Sequence, residues 1–144
     1  MTTVRNILEK KGTAAWSVEP ETLVFDALTL MAEKNIGALL VTKDNALIGI
    51  FSERDYARKV ALKGNTSHSA AVKEIMTGNV ISVTPDQSID DCMDIMTLKH
   101  IRHLPVLENG KLIGMVSIGD VVKEMVSERE QTIEQLKNYI TGAR

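Results

Sequence analysis

The chain has 144 residues, 44% hydrophobic but only 3% aromatic, so one domain-sized core must be built from Ile, Val, Leu, Ala and Met. A formal net charge of −2 argues against a nucleic-acid binder working through a basic surface. The single cysteine, Cys92, permits no internal disulfide, no apolar run approaches the ~20 residues that cross a bilayer, and MTTVRNILEKK lacks the apolar stretch of a signal peptide, so a cytoplasmic protein without a membrane partner is expected.

In chain order, Val4 to Leu8 form a short lead, and Trp16–Val18 reads as a first strand that stops at Pro20. Val24, Ala27, Leu28 and Met31 then make one apolar helical stripe. Two strands follow, Ala38–Thr42 and Leu47–Ser52, joined at Asp44-Asn45, and a second helix covers Glu53–Lys63. Residues 64–71, GNTSHSAA, are small and polar and read as a linker. The order then returns: a lead at Val72–Met76, a strand at Val80–Val83, Pro85, a stripe of Ile89, Cys92, Met93 and Met96, strands His103–Leu107 and Leu112–Ser117 joined at Asn109-Gly110, and a helix at Gly119–Ser127. The tail Ser127–Ile140 continues as helix, with Ile133, Leu136 and Ile140 as an apolar stripe and Gly142 as its end.

Shifting the chain by 65 residues pairs Pro20 with Pro85, Asp26 with Asp91, Met31 with Met96, Leu39 with Leu104, Gly49 with Gly114, Ser52 with Ser117 and Asp55 with Asp120. The alignment slips only between residues 9–16 and 77–81. The expected fold is therefore α/β (α+β): two pseudo-symmetric β-α-β-β-α repeats packed together, since a unit of ~45 residues seldom stands alone. The expected partition is 1–63 for the first repeat with its lead, 64–71 for the linker, 72–126 for the second repeat and 127–144 for the C-terminal helix.

The two copies of G-x-x-S-x-x-D are GIFSERD (Gly49–Asp55) and GMVSIGD (Gly114–Asp120), and the second repeat adds Ile101-Arg102-His103-Leu104-Pro105-Val106. Two such motifs in register, with the Leu-Pro-Val strand, resemble a pair of CBS domains, a Bateman module, from Val4 to about Val126. The resemblance implies adenosine ligands (AMP, ADP, ATP, in some members NAD or S-adenosylmethionine) in clefts between the repeats. The chemistry is compatible. A carboxylate accepts two hydrogen bonds from a ribose diol, and a Ser hydroxyl gives or takes one beside it. Ser52 with Asp55, and Ser117 with Asp120, are the ribose candidates. A capping box at each helix start is the alternative, and both roles can coexist. By resemblance, Asp55 would work with Thr77, Val80, Ile101 and His103, and Asp120 with Thr13, Ile36, Gly37 and Ala38. Leu40, where the second repeat has Pro105, departs from the family pattern.

Arg54 and Arg58 lie four apart and, with Lys59 and Lys63, form the most basic stretch, either a phosphate contact or a solvated helix face. Gly119 replaces Arg54 in the second copy, while Arg102 and His103 stand where the first has Gly37 and Ala38. Two unequal sites follow, the Asp120 site being the more neutral. Cys92 falls on the apolar stripe as a core residue, and His68 and His100 have no partner at metal-ligand spacing, so no metal is expected. No nucleophile-base constellation can be placed, so no enzyme is expected. The resemblance implies an adenine-nucleotide sensor (AMP-like or NAD) that forms a homodimer, with an unidentified effector protein as a further partner, and the charge balance points away from nucleic acid. The alternative is a structural module with vestigial clefts that recruits an enzyme or transporter.

Overall fold

The computed structural model describes residues 1–64 and 66–141; Asn65 of the linker and Gly142, the expected end of the last helix, lie outside the described residues. The elements run α1 (Val4–Lys11), β1 (Ser17–Val18), α2 (Val24–Lys34), β2 (Ala38–Lys43), β3 (Ala46–Ser52), α3 (Glu53–Tyr56), α4 (Val72–Ile75), α5 (Ile89–Lys99), β4 (His103–Glu108), β5 (Lys111–Ser117) and α6 (Ile118–Thr141). The mixed α/β architecture expected from the sequence is present. No described helix is long and apolar enough to cross a membrane.

The chain divides into two compact units. One comprises residues 14–81 with 110–112, the other residues 1–13, 82–109 and 113 onward. The leads are thus exchanged: α4 lies with the first repeat's helices and strands, and α1 with the second's. In the 14–81 unit β1-β2-β3 form a sheet, β1 parallel and β3 antiparallel to β2. Its core is Val24, Ala27 and Met31 of α2, Leu39 and Val41 of β2, Phe51 of β3, Val60, and Val72 and Ile75 of α4. In the other unit the buried positions are their counterparts: Ile89, Cys92 and Met96 of α5, Leu104 and Val106 of β4, Val116 of β5, and Val4 and Ile7 of α1. Burial, with Asp91 adding, pushes the Cys92 thiol up to about 11, which suits a packing role.

Local chemistry explains the boundaries. Asp44-Asn45 and Asn109-Gly110 all have positive φ, the geometry of tight hairpin turns. Helices α2 and α5 end at Asn35 and His100, at φ 54° and 55°, where the left-handed turn lets the next N–H, of Ile36 or Ile101, reach back to Met31 O or Met96 O. Helix α2 has no side-chain cap, so Val24 and Phe25 donate to Ala70 O and Ser67 O of the linker, and His68 stacks on Phe25 at 4.3 Å. The linker is therefore a packed cover for a helix end. Lys34 lies 4.2 Å above the Trp16 ring.

Two expectations need correction. The second repeat has no first strand, only one parallel bridge, Val83 to Val106, held by Val83 N–H to Pro105 O and Leu107 N–H to Val83 O. The flanking rungs would need N–H groups from Pro105 and Pro85, which have none. In the first repeat Leu40 stands at the Pro105 position and donates to Trp16 O at 3.1 Å, so β1 persists. The expected α-helix over Glu53–Lys63 is α-helical only to Tyr56. It continues as π-helix through Ala57–Ala61, closed by Leu62 N–H to Ala57 O.

Candidate functional site

Each G-x-x-S-x-x-D segment is a strand end feeding a helix start, and its glycine is set by packing. A Cβ on Gly49 would collide with Met76 Sδ and lie 3.1 Å from Thr77 O, and one on Gly114 would lie 2.8 Å from Leu8 Cδ2. The missing side chain lets the exchanged lead lie against the strand. In the 14–81 unit this contact becomes a bridge, Ile50 N–H to Thr77 O and Thr77 N–H to Ile50 O.

At the end of β3, Ser52 and Asp55 form a complete capping box. Ser52 Oγ accepts from Asp55 N–H at 3.2 Å, and Asp55 Oδ2 accepts from Ser52 N–H at 3.0 Å and from Ser52 Oγ at 3.1 Å. That fixes one carboxylate oxygen. The other, Oδ1, is 3.1 Å from Lys59 Nζ and 3.5 Å from Thr77 Oγ1. Lys59 also donates to Ile75 O. Of the residues expected with Asp55, Ser52 and Thr77 are brought to it; Gly37 and Ala38, expected with Asp120, lie beside this helix start instead, Gly37 O accepting the Glu53 N–H and Ala38 pairing with Ser52 across the ladder. Ile36 is half-buried just before them, and Val80 half-buried beyond Thr77.

Arg54 and Arg58 are exposed on the helix that follows. Lys59 and Lys63 line a surface pocket of about 330 Å³ with Ser69, Ala70, Glu74 and Ile75.

The second unit repeats the plan with a different cation. Ser117 Oγ accepts from Asp120 N–H at 3.2 Å, and Asp120 Oδ2 accepts from Ser117 N–H at 2.8 Å. The same oxygen is 2.7 Å from Lys11 Nζ, which also donates to Met115 O, the counterpart of Ile50 O. Burial alone would push the Asp120 carboxyl up, but the Lys11 ammonium and the Ser117 N–H outweigh it and hold the group below the usual carboxylate range. Arg102 O accepts the Ile118 N–H as Gly37 O accepts that of Glu53. Ile101 and His103 are half-buried beside it, while Arg102 is exposed.

Thr13 is exposed in the segment after α1, and Lys11 occupies the place by Asp120 that the sequence assigned to it. The Asp120 site is therefore not the neutral one expected. Lys11 was missed because the repeat alignment slips there: α1 has 8 residues and α4 has 4, so the longer lead carries its last lysine to the acid. Its signal was a basic residue in the last turn of a lead helix, where cations are common for other reasons.

A family model described as CBS domain matches residues 4–62 and 72–127. The chain is 41% identical to CBS domain-containing protein CBSX3, mitochondrial, of Arabidopsis thaliana, over 98% of this chain and 73% of that protein. It is 33% identical to CBSCBSPB2 of the same plant, of which it spans 25%. Among solved structures it is similar to a protein with CBS domains from Burkholderia ambifaria, at 51% identity and TM-score 0.86, over 88% of this chain and 95% of that one. It also shares its fold with the CBS domain pair of protein MJ0100, solved in complex with 5′-methylthioadenosine and S-adenosyl-L-methionine, at 23% identity and TM-score 0.78, over 89% of this chain and 98% of that one.

Proposed function

The chain belongs to the CBS-domain family, as a tandem pair, and on that premise we propose that it is a non-catalytic regulatory module that binds an adenine nucleotide, AMP-like or NAD, through Asp55 and Asp120. The observation that carries this is the division of labour on Asp55. Its Oδ2 is pinned by the cap, while Oδ1 faces a partly exposed lysine and a threonine hydroxyl. A ribose diol replaces the Lys59 ammonium at Oδ1 without breaking the cap. The released lysine, with Arg58 on the same helical segment, is then available to a phosphate. Ile36, Gly37, Ala38, Ile101 and His103 are the base contacts that the family resemblance implies. That adenosine compounds sit on this fold in MJ0100 supports the ligand class. The ligand acts by favouring one of two pre-existing arrangements, with no chemical step.

A structural module is the competing reading, and the two complete caps, each with a lysine on its acid, favour it: both carboxylates are satisfied without a ligand. Titration calorimetry with AMP, ATP, NAD and S-adenosylmethionine separates the two. Saturable binding of one of them is expected, and no heat at millimolar ligand would sink the sensor reading. Mass spectrometry of the small molecule that co-purifies identifies the ligand independently.

A further inference from the structure

Met76 closes α4 at the point where the exchanged lead crosses β3. It is half-buried, and its sulfur fills the space over Gly49 that a Cβ would need. Both of its chain neighbours serve Asp55. Ile75 O accepts from Lys59 Nζ at 3.1 Å, and that ammonium is 3.1 Å from Asp55 Oδ1. Thr77 is bonded to Ile50 through two backbone bonds of 2.9 and 3.0 Å, and its Oγ1 is 3.5 Å from Asp55 Oδ1. One methionine thus sits between the residue that steadies Lys59 and the residue that supplies the threonine hydroxyl.

In the other unit the place over the equivalent glycine, Gly114, is filled by Leu8, which is 5% exposed. Leucine and methionine fill similar volumes, so packing alone does not call for a thioether at Met76. What methionine adds is a polarizable sulfur that an oxidant can attack. Met31 and Met96 are 2% exposed and are withheld from such attack by the cores around them. Met76 is not withheld.

We propose that Met76 is a reversible oxidation switch acting on Asp55. A hydroperoxide transfers an oxygen atom to the thioether: the O–O bond breaks, an S–O bond forms, sulfur gives up two electrons, and hydrogen peroxide leaves as water. Return takes a thiol-dependent sulfoxide reductase, which removes the oxygen as water while two thiols become a disulfide. The sulfoxide is polar and carries one more heavy atom on a sulfur already packed against backbone. Left in place, its oxygen is buried without a partner. Turned to water, the side chain leaves Gly49. Either way the chain at Met76 shifts and takes Ile75 O and Thr77 with it. The Ile50–Thr77 bridge opens, Asp55 loses the threonine hydroxyl, and Lys59 loses its second anchor. Asp120, with Leu8 at the matching place, does not respond. The switch works on the protein's own backbone bonds and needs no nucleotide.

The test treats the full chain with hydrogen peroxide and follows the Ile50 and Thr77 amides by hydrogen exchange, with the oxidised residues mapped by tandem mass spectrometry. Wild type should gain an oxygen at Met76 and exchange both amides about tenfold faster or more, while the amides of Ser117 and Asp120 keep their rates. A sulfoxide reductase with dithiothreitol, applied to that same wild-type sample, should restore slow exchange. Met76→Leu, which copies Leu8, should keep wild-type protection through the peroxide treatment. Cys92 is buried, which leaves the response to methionine. A Met76 that stays reduced while the exposed Met1 is fully oxidised, a Met76 sulfoxide with exchange unchanged or not restored by the reductase, or a Met76→Leu chain that loses protection as wild type does, would each overturn the proposal.

Discussion

Asp55→Asn separates the two roles that the capping box superimposes. The amide oxygen can still accept the Ser52 N–H, so the cap is largely kept, whereas Asp55→Ala removes the carboxylate's half of the box at up to about 1 kcal/mol and leaves the residue 55 N–H on Ser52 Oγ. What the amide lacks is charge. The pair with Lys59, whose side chain is 40% exposed, adds up to about 1 kcal/mol in the free protein. A carboxylate holding ribose hydroxyls contributes more, ~1.5–3 kcal/mol, so affinity should fall roughly 10- to 150-fold. The assay is calorimetric titration with the nucleotide that binds wild type, beside a urea melt of each variant. Binding by Asp55→Asn as tight as wild type, with Asp55→Ala lowering stability alone, would show that Asp55 is only a cap.

Lys11→Met should cost ~1 kcal/mol near pH 7 by removing the partner of Asp120. Because the folded Asp120 carboxyl sits below its unfolded value of about 3.9, that contribution is present above pH ~4 and is lost as pH falls through the depressed value; a wild-type minus variant difference that stays constant with pH refutes it. Gly49→Ala must move both Met76 and the Thr77 carbonyl and should destabilise by about 1–3 kcal/mol, whereas Gly114→Ala meets only the end of Leu8 and should cost less; equal urea midpoints would contradict this. Ser88→Ala removes the hydroxyl that accepts Asp91 N–H at 3.1 Å and should lower stability by about 1 kcal/mol in the same melt.

Much of this molecule was legible because period and turn chemistry act locally. The stripes at Val24–Met31 and Ile89–Met96, the hairpins at Asp44-Asn45 and Asn109-Gly110, and the Ser–Asp helix starts all appear where the residues placed them. What was hidden depended on partners far along the chain. The strand at Val80–Val83 looked as good as Trp16–Val18, because its loss comes from a proline on the other strand of the ladder. The π-helical stretch at Ala57–Ala61 has no residue that announces it, and the pattern of ARKVA gives no physical reason for it. The linker looked like a spacer because its carbonyls, which cap α2, carry no side-chain signature.

The exchange of leads was the largest omission, and it alters what the two sites share. Sequence symmetry compares Ser52 and Asp55 with Ser117 and Asp120 and finds them equal, then compares Arg54 with Gly119 and finds one site short of a cation. The structure moves that comparison to the leads. Asp55 draws its lysine from its own helix, four residues on, and uses the segment after α4 for Thr77. Asp120 has no such lysine, since Glu124 stands at its i+4 position, and Glu124 is itself engaged by Lys10. Its cation is Lys11, from the end of α1, more than a hundred residues away in sequence. A ligand that takes Asp55 from Lys59 disturbs the helix that carries both and the bond from Lys59 to Ile75 O of α4. A ligand that takes Asp120 from Lys11 loosens the tie between the N-terminal lead and the start of α6. Of the two acids, Asp120 is therefore the one through which a bound nucleotide would change how α6 is held.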